Sequence, residues 1–236
     1  VPIAPRCAPA APAIQPLTYE ALEAPASIAE QIGHYLPYRP SRIAIPGAVE
    51  HPTPLVESVA MGSITAPVPE AVPQLPADLI AKGVLSAAQA ETLIYAASAH
   101  ARDLPGRFEP EDKGCGLKAS AEGQVYRMGY FLGDGTGAGK GRQVASVILD
   151  RWVRGERRHI WISKNEALLE DARRDWSALG GLPIDIQLLG QWKLGVPVGM
   201  REGILFVTYP TLRSGRSDAT RLEQILDWAG NDFDGV

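Results

Sequence analysis

Residues 131–152 read FLGDGTGAGKGRQVASVILDRW, and the fold is worked out from this stretch. Glycine occurs at every second position from 133 to 141, Lys140 follows Gly139, and the residues beyond Gly141 have the spacing of one apolar helix face. A turn of glycines lets successive backbone N–H groups point at a phosphate, while the following helix N-terminus and a lysine add positive charge. The stretch therefore predicts a phosphate-binding loop, with Lys140 as its catalytic lysine.

The same stretch departs from the GxxxxGK[ST] pattern at two positions. Asp134 stands where the first glycine is expected, and Gly141 stands where a serine or threonine hydroxyl normally binds magnesium. The magnesium ligand must then come from elsewhere, and Thr136 or water are the candidates. A glycine-rich turn without any ligand is the alternative interpretation.

Local signals on both sides of the glycines predict alternating strands and helices. Ser86 with Gln89 forms a capping-box pattern at the start of a helix, and Ser163 with Glu166 forms a second one. The apolar stretch VYRMGYFLG is expected to be a strand that leads into the glycines. Strands are expected at 125–133, 159–163, 184–189 and 203–209, and helices at 86–102, from the glycines to about 152, from 163 to about 179, and at 219–230. This alternation predicts an α/β fold with a mostly parallel sheet covered on both faces.

Composition divides the chain. Of its 236 residues 45% are hydrophobic, the net charge is -4, and fifteen of the 20 prolines fall in residues 1–76. We expect a flexible Pro/Ala-rich leader over 1–34, an extended segment that packs on the core over 35–76, and an ATP-binding domain over 77–236. No run of about 18 apolar residues and no signal-peptide pattern occurs, which predicts an intracellular protein without a membrane partner, cytoplasmic in a bacterium or nuclear in a eukaryote.

Four stretches in order carry a resemblance to a known family: 132–152, WISKNEALLEDARRDWSALG at 161–180, GILFVTYPTLRS at 203–214, and WAGNDFDGV at 228–236. Together they resemble the N-terminal helicase-like domain of the Strawberry notch family, within superfamily two of the P-loop NTPases. The resemblance covers about residues 35–236. Glycine after the lysine agrees with that family's own loop, and Asp134 agrees with the loop of many helicase-like ATPases.

The resemblance implies a RecA-like domain that uses ATP and Mg²⁺ and acts on nucleic acid, with DNA favoured. It also implies an Asp-Glu-Ala-His box just beyond the FDGV at residues 233–236, and a second RecA-like domain in the full-length chain. The domain is therefore expected to be incomplete at its C-terminus, and hydrolysis is expected only in the complete protein, because phosphoryl transfer needs a held metal and a positioned water.

The candidate site residues fall into two groups. Gln89 resembles the upstream glutamine with which superfamily-two enzymes read the adenine edge, and helix capping is an equally supported role. The resemblance also implies that residues at strand ends contact the nucleic-acid backbone, a position where open α/β sheets bind ligands. The alternatives are a helix cap for Ser163 and a solvated charge for Lys164. The expected nucleotide-binding residues are Gln89, Gly133, Asp134, Gly135, Thr136, Gly137, Ala138, Gly139, Lys140, Gly141 and Arg142, and the expected nucleic-acid residues are Ser163, Lys164, Thr208 and Arg213.

Two other classes of function stay open at this point. The first is a nucleotide-binding regulatory or interaction module of the transcription or chromatin type that does not hydrolyse ATP. The second, less favoured, is a P-loop kinase, which would need an arginine-bearing lid and an acceptor site. No such segment is recognisable in the sequence.

Overall fold

The computed structural model describes residues 12–23, 34–40, 42–111, 116–216 and 219–236. Its helices are α1 (Val59–Gly62), α2 (Asp78–Ala81), α3 (Ala87–His100), α4 (Lys140–Val153), α5 (Leu168–Ala178), α6 (Tyr209–Leu212) and α7 (Arg221–Ala229). Its strands are β1 (Ile14–Pro16), β2 (Glu20–Ala21), β3 (Tyr35–Pro37), β4 (Ile43–Ala44), β5 (Val56–Ser58), β6 (Gln74–Pro76), β7 (Phe108–Pro110), β8 (Leu117–Ala119), β9 (Arg158–Ser163), β10 (Ile186–Leu188), β11 (Gly203–Thr208), β12 (Gly215–Arg216) and β13 (Ala219–Thr220). Short 3₁₀ turns occupy Pro183–Asp185 and Leu189–Gln191.

A three-stranded parallel sheet forms the centre of the fold, in the order β10-β11-β9. Every residue of β11 is buried, as expected for a strand with neighbours at both edges and layers on both faces. The predicted parallel sheet of an α/β protein is confirmed for these strands.

The two faces of β11 pack against different helices because successive side chains alternate across a strand. Ile204 and Phe206 belong to the larger apolar cluster, which includes residues of α3, α4 and α5. Leu205 and Val207 belong to a second cluster, in which Ile225 and Trp228 represent α7. The sheet is therefore covered on both sides, as predicted.

The helices flanking the glycines begin and end where local signals predict. Ser86 caps α3 and forms a reciprocal capping box with Gln89. Gly155, just beyond α4, has a φ of 100° and donates its N–H to the carbonyl of Trp152, which ends that helix. Thr220 caps α7 through a second reciprocal box with Glu223.

Two local predictions are wrong. Residues 125–133 form no strand: the backbone of this stretch makes an isolated bridge between Arg127 and Asp103, and Phe131 is 90% exposed. An apolar pattern alone does not supply the neighbour that a ladder needs. Ser163 does not cap a helix either, because it is the last residue of β9 and α5 begins only at Leu168 after a turn.

Part of the segment expected as a flexible leader is packed. Over residues 12–23, β1 pairs antiparallel with β6 and the buried Leu17 joins the larger cluster. Residues 1–11 and 24–33 of that leader lie outside the described residues. In the 35–76 segment, Ile43 and Leu75 are buried in the same cluster, so this segment contacts the core.

The last residues, 232–236, lie along β9. Ile160 donates its N–H to the carbonyl of Val236, and Val236 donates its own N–H to Nδ1 of His159. Arg127, from the stretch that approaches the glycines, donates to the carbonyls of Asp234 and Gly235. The 232–236 segment thereby connects the free edge of the sheet with the approach to the glycine loop.

Among the helices of the described residues, none combines the length and the apolar character needed to cross a membrane.

Candidate nucleotide-binding site

The glycine loop, residues 133–139, lies at the level where β9 ends. Helix α4 follows the loop and runs for 14 residues, and its C-terminal end turns through residues 154–157 into β9. A 14-residue helix and a six-residue strand are each about 20 Å long. The loop at the start of α4 is therefore level with the carboxyl end of β9, the edge at which open α/β sheets bind ligands.

The backbone of the loop requires glycine at two positions. Gly137 and Gly139 have φ values of 94° and 79°, in the left-handed region that residues with a Cβ rarely adopt. Gly139 is the N-cap residue of α4, and its carbonyl accepts from the N–H groups of Arg142 and Gln143. Within the described residues, the N–H groups of residues 137–141 make no hydrogen bond. A row of free amide donors at a helix N-terminus is the arrangement that binds phosphate.

Lys140 is folded back over the loop. Its Nζ lies 2.8 Å from the carbonyl oxygen of Asp134 and 2.7 Å from that of Gly135. The ammonium group is thereby held beside the free amides. A phosphate oxygen would be a stronger acceptor than a carbonyl because it carries charge.

Two glutamines hold the loop from behind. The buried Gln89 donates from Nε2 to the carbonyl of Ala138 at 3.2 Å and accepts at Oε1 from the N–H of Ser86. Gln143 donates to the same carbonyl at 3.2 Å and to the Asp134 carboxylate at 2.9 Å. Both groups of the Gln89 amide are thus engaged with the protein, in capping and in support of the loop.

Gln143 was not predicted as a site residue. It is 1% exposed, and its Oε1 is buried without a hydrogen-bond partner in the described part of the chain. A sequence signal exists, because Gln143, Ser146 and Asp150 place three polar residues on the buried face of α4. Polar groups on a buried face need partners, and such a series indicates a polar contact.

A buried carboxyl group lies near the loop. Glu91 of α3 is 6% exposed and accepts a hydrogen bond from the hydroxyl of Tyr38, which belongs to the 35–76 segment. Burial, with a smaller contribution from the negative charge of Asp134, raises the pKa of Glu91 to about 7. The 35–76 segment thus contacts the helix that supports the glycine loop.

The residues beyond Lys140 face α5. A Cβ at Gly141 would overlap Oδ2 of Asp175, and Arg142 donates to the carbonyl of Val84 while lying 3.6 Å from the Asp175 carboxylate. Thr136 is exposed on the loop. Among the residues that the structure describes, no group of three or more His, Cys, Asp or Glu could hold a metal ion. Magnesium bound with a nucleotide usually takes several of its ligands from phosphate and water oxygens.

Of the four residues expected to contact nucleic acid, two lie at the sheet edge itself and two follow it in the chain. Ser163 and Thr208 are paired in register at the carboxyl ends of β9 and β11. Thr208 is buried and accepts from the N–H of Thr211, which caps α6. Lys164 and Arg213, which follow these strand ends, are exposed.

A cavity of about 650 Å³ lies elsewhere, between the loop that precedes β11 and helix α7. Val196, Met200, Gln224 and Trp228 are among its lining residues, and none of the lining residues belongs to the glycine loop.

Comparison with known proteins identifies the family of the chain. The sequence model of the family described as P-loop containing NTP hydrolase pore-1 matches residues 50–236, which include the glycine loop and the whole parallel sheet. The chain belongs to this family. The predicted P-loop NTPase domain is thereby confirmed, and such a domain implies nucleotide and Mg²⁺ use in general.

Strawberry notch proteins are relatives of this chain, which confirms the resemblance that the sequence motifs indicated. The chain is 34% identical to Protein FORGETTER 1 of Arabidopsis thaliana over 207 residues, 86% of the chain and 14% of the relative. It is 33% identical to Protein strawberry notch homolog 1 of Gallus gallus, over 87% of the chain and 16% of the relative, and 36% identical to homolog 2 of Homo sapiens, over 87% and 14%. The chain thus spans about one seventh of the length of these relatives. No solved structure matches it significantly.

Proposed function

We propose that this chain binds ATP at the glycine loop and forms part of a nucleic-acid-dependent ATPase. The observation that carries the proposal is the row of free amide N–H groups at residues 137–141, beside the Nζ of Lys140 and at the N-terminus of α4. Orphan donors and the positive end of the helix dipole favour a polyanion at this place. In this proposal, residues 133–142 surround the phosphates, and Gln89 and Gln143 keep the loop in its phosphate-binding shape.

In the full-length protein the proposed activity is that of a Strawberry notch-like DNA helicase or translocase. Residues 77–236 would form part of a first RecA-like lobe, which would close on a second RecA-like lobe when ATP binds. The sheet edge at Ser163 and Thr208, with the exposed Lys164 and Arg213 beyond it, is the proposed track for the nucleic-acid backbone. Support comes from the family membership and from the position of these residues at strand carboxyl ends.

Magnesium bound with the nucleotide would neutralise charge on the β- and γ-phosphates. In this proposal the chain orients those phosphates through backbone N–H donors and Lys140, and Thr136 supplies the exposed hydroxyl of the loop. The regulatory-module and kinase alternatives are supported by no contact in the described residues.

The test is the affinity for Mg·ATP, measured by calorimetry, of the unaltered chain and of Lys140→Ala. Loss of a charge-assisted contact of about 2 kcal/mol predicts affinity weakened roughly thirtyfold. Lys118→Ala is the matched control, since Lys118 pairs with Glu109 on an exposed surface hairpin and should leave the affinity unchanged. Equal affinities for all three proteins would show that the glycine loop does not bind the phosphates.

The nucleic-acid track has its own test. Lys164→Ala and Arg213→Ala should weaken binding of single-stranded DNA, measured by fluorescence anisotropy at low salt, and should reduce its salt dependence, while Mg·ATP affinity stays unchanged. DNA affinity that does not respond to either change would place the track elsewhere.

A further inference from the structure

The glycine at position 141 is explained by a contact rather than by backbone conformation. Its φ is not in the left-handed region, since it lies in the first turn of α4, where other residues fit. The space that a side chain would take is filled by Asp175 of α5: a Cβ at position 141 would overlap the Asp175 Oδ2 and would lie 3.3 Å from its Cγ. A carboxylate oxygen therefore stands where P-loops usually place a serine or threonine side chain.

The oxygens of the Asp175 carboxylate can accept a further hydrogen bond or metal contact. Its side chain is 14% exposed, and the guanidinium groups of Arg142 and Arg174 lie 3.6 and 3.7 Å from its oxygens. Both separations are ion-pair distances too long for a hydrogen bond. In the described residues this largely buried carboxylate thus receives no hydrogen bond.

A second side-chain oxygen without a donor belongs to α4 itself. Gln143, two residues after Gly141, is 1% exposed, and its Oε1 has no partner within the described residues. Buried oxygens without donors are uncommon in folded proteins, and they are the atoms that a hydrated cation can satisfy. Of these two oxygens, the Asp175 carboxylate is the one that fills the space beside Gly141, where the P-loop hydroxyl is missing.

We propose that Asp175 takes over the task of the missing P-loop hydroxyl and positions the hydrated magnesium of the bound nucleotide. This inference rests on the proposed nucleotide binding at the glycine loop. Carboxylate oxygen is a ligand class that Mg²⁺ prefers, directly or through water. Gly141 is then required because it leaves room for the carboxylate, and Asp175 is a positioning residue from another helix.

The charge of Asp175 makes this proposal distinguishable from a packing role. A carboxylate beside the phosphate site repels the phosphates of metal-free nucleotide, whereas in Mg·ATP its attraction to the Mg²⁺ ion offsets that repulsion. Asp175→Asn keeps the shape and removes the charge. The variant should therefore bind Mg·ATP about tenfold more weakly while binding metal-free ATP as well as, or better than, the unaltered chain.

The experiment measures ATP affinity by calorimetry with Mg²⁺ and again with EDTA, together with Mn²⁺ bound to the ADP complex by electron paramagnetic resonance. The proteins are the full chain, Asp175→Asn, and Glu170→Gln as the matched control, an exposed acid of the same helix paired with Arg173. The ratio of the two ATP affinities should fall at least tenfold in Asp175→Asn and stay unchanged in Glu170→Gln. Thermal unfolding of each protein monitors the fold.

A double variant, Gly141→Ser with Asp175→Ala, returns a hydroxyl to the loop and removes the overlap. The double variant should prefer Mg·ATP over metal-free ATP, as the unaltered chain does and Asp175→Asn does not. Gly141→Ser alone keeps the overlap with Asp175 and should not show this preference. If Asp175→Asn shifts both ATP affinities equally, or neither, the carboxylate only packs and the inference is wrong while the proposed function stands. If the unaltered chain binds no nucleotide, the proposed function fails and the inference fails with it.

Discussion

Two apolar stretches, GILFVT at 203–208 and VYRMGYFLG at 125–133, have similar patterns and very different surroundings. The first is β11, buried along its whole length between two parallel neighbours and two helical layers. The second contacts residues 102–104 on one side, through bonds such as that from the Met128 N–H to the Arg102 carbonyl. Its Arg127 side chain reaches the carbonyls of the 232–236 segment on the other side.

The difference shows that an apolar stretch of this chain becomes a strand where neighbouring strands can pair with its backbone. β11 has a backbone partner for each edge, and the burial of its side chains stabilises the pairing. On the side of the 232–236 segment, the 125–133 stretch is held by two side-chain hydrogen bonds of Arg127, called the clamp below, and not by the backbone hydrogen bonds of a strand ladder. The clamp joins Arg127 with the 232–236 segment, and His159 holds the same segment from β9.

The largest expected effect is on the buried strand. Phe206→Ala removes a fully buried ring from the core between β11 and the helices, and such truncations cost about 3–5 kcal/mol in unfolding free energy. Phe131→Ala is the matched change in the other stretch, where the ring is 90% exposed, and it should stay within about 0.5 kcal/mol. Urea unfolding measures both. A comparable loss for Phe131→Ala would mean that the 125–133 stretch is buried in solution.

The next effect concerns His159 and depends on pH. Burial, helped by Arg151 and Arg127 and opposed by the Glu156 carbonyl and Asp234, lowers the pKa of His159 to about 4. Neutral His159 accepts the N–H of Val236 at Nδ1 and donates from Nε2 to the Glu156 carbonyl. The pKa of His159 in the folded chain lies below the ordinary 6.5. The stabilisation that neutral His159 gives to the fold is therefore complete above pH 6.5 and is lost as the pH falls toward 4.

His159→Asn keeps an acceptor near the Nδ1 position and cannot titrate. Between pH 7.5 and 4.5 the unaltered chain should lose about 2 kcal/mol more unfolding free energy than this variant. Urea unfolding at several pH values gives the comparison, and the titration of other groups cancels in the difference. Parallel curves for the two proteins would show that His159 is not held neutral.

The smallest effect is on the clamp itself. Arg127→Gln removes two hydrogen bonds to the carbonyls of Asp234 and Gly235, at a cost of about 1 kcal/mol. Amide hydrogen exchange at Ile160, whose N–H is bonded to Val236, should become roughly fivefold faster. Arg107→Gln, which breaks a similar bond to the Gly123 carbonyl, should leave that exchange unchanged. Unaltered exchange in Arg127→Gln would show that β9 holds the segment without the clamp.

Prediction from the sequence succeeded where the signal is local. The Ser86 box, the end of α4 at Gly155 and the continuous apolar run of β11 depend on residues a few positions apart. It failed for the strand at 125–133 and for the cap at Ser163, because a ladder and a helix start depend on what the rest of the chain places beside them. Gln143 was missed because its partners, Asp134 and the Ala138 carbonyl, are brought to it by the shape of the loop.

The sequence by itself determined the glycine loop before α4 and the alternating α/β architecture, since glycines at left-handed positions, capping boxes and hydrophobic periods act within a few residues. Only the tertiary structure decided how the loop is supported. Gln89 reaches the Ala138 carbonyl across 49 positions of sequence, and Asp175 of α5 fills the space beside Gly141. These contacts arise because α3 and α5 both pack against α4, and helix packing brings together side chains that no local pattern relates.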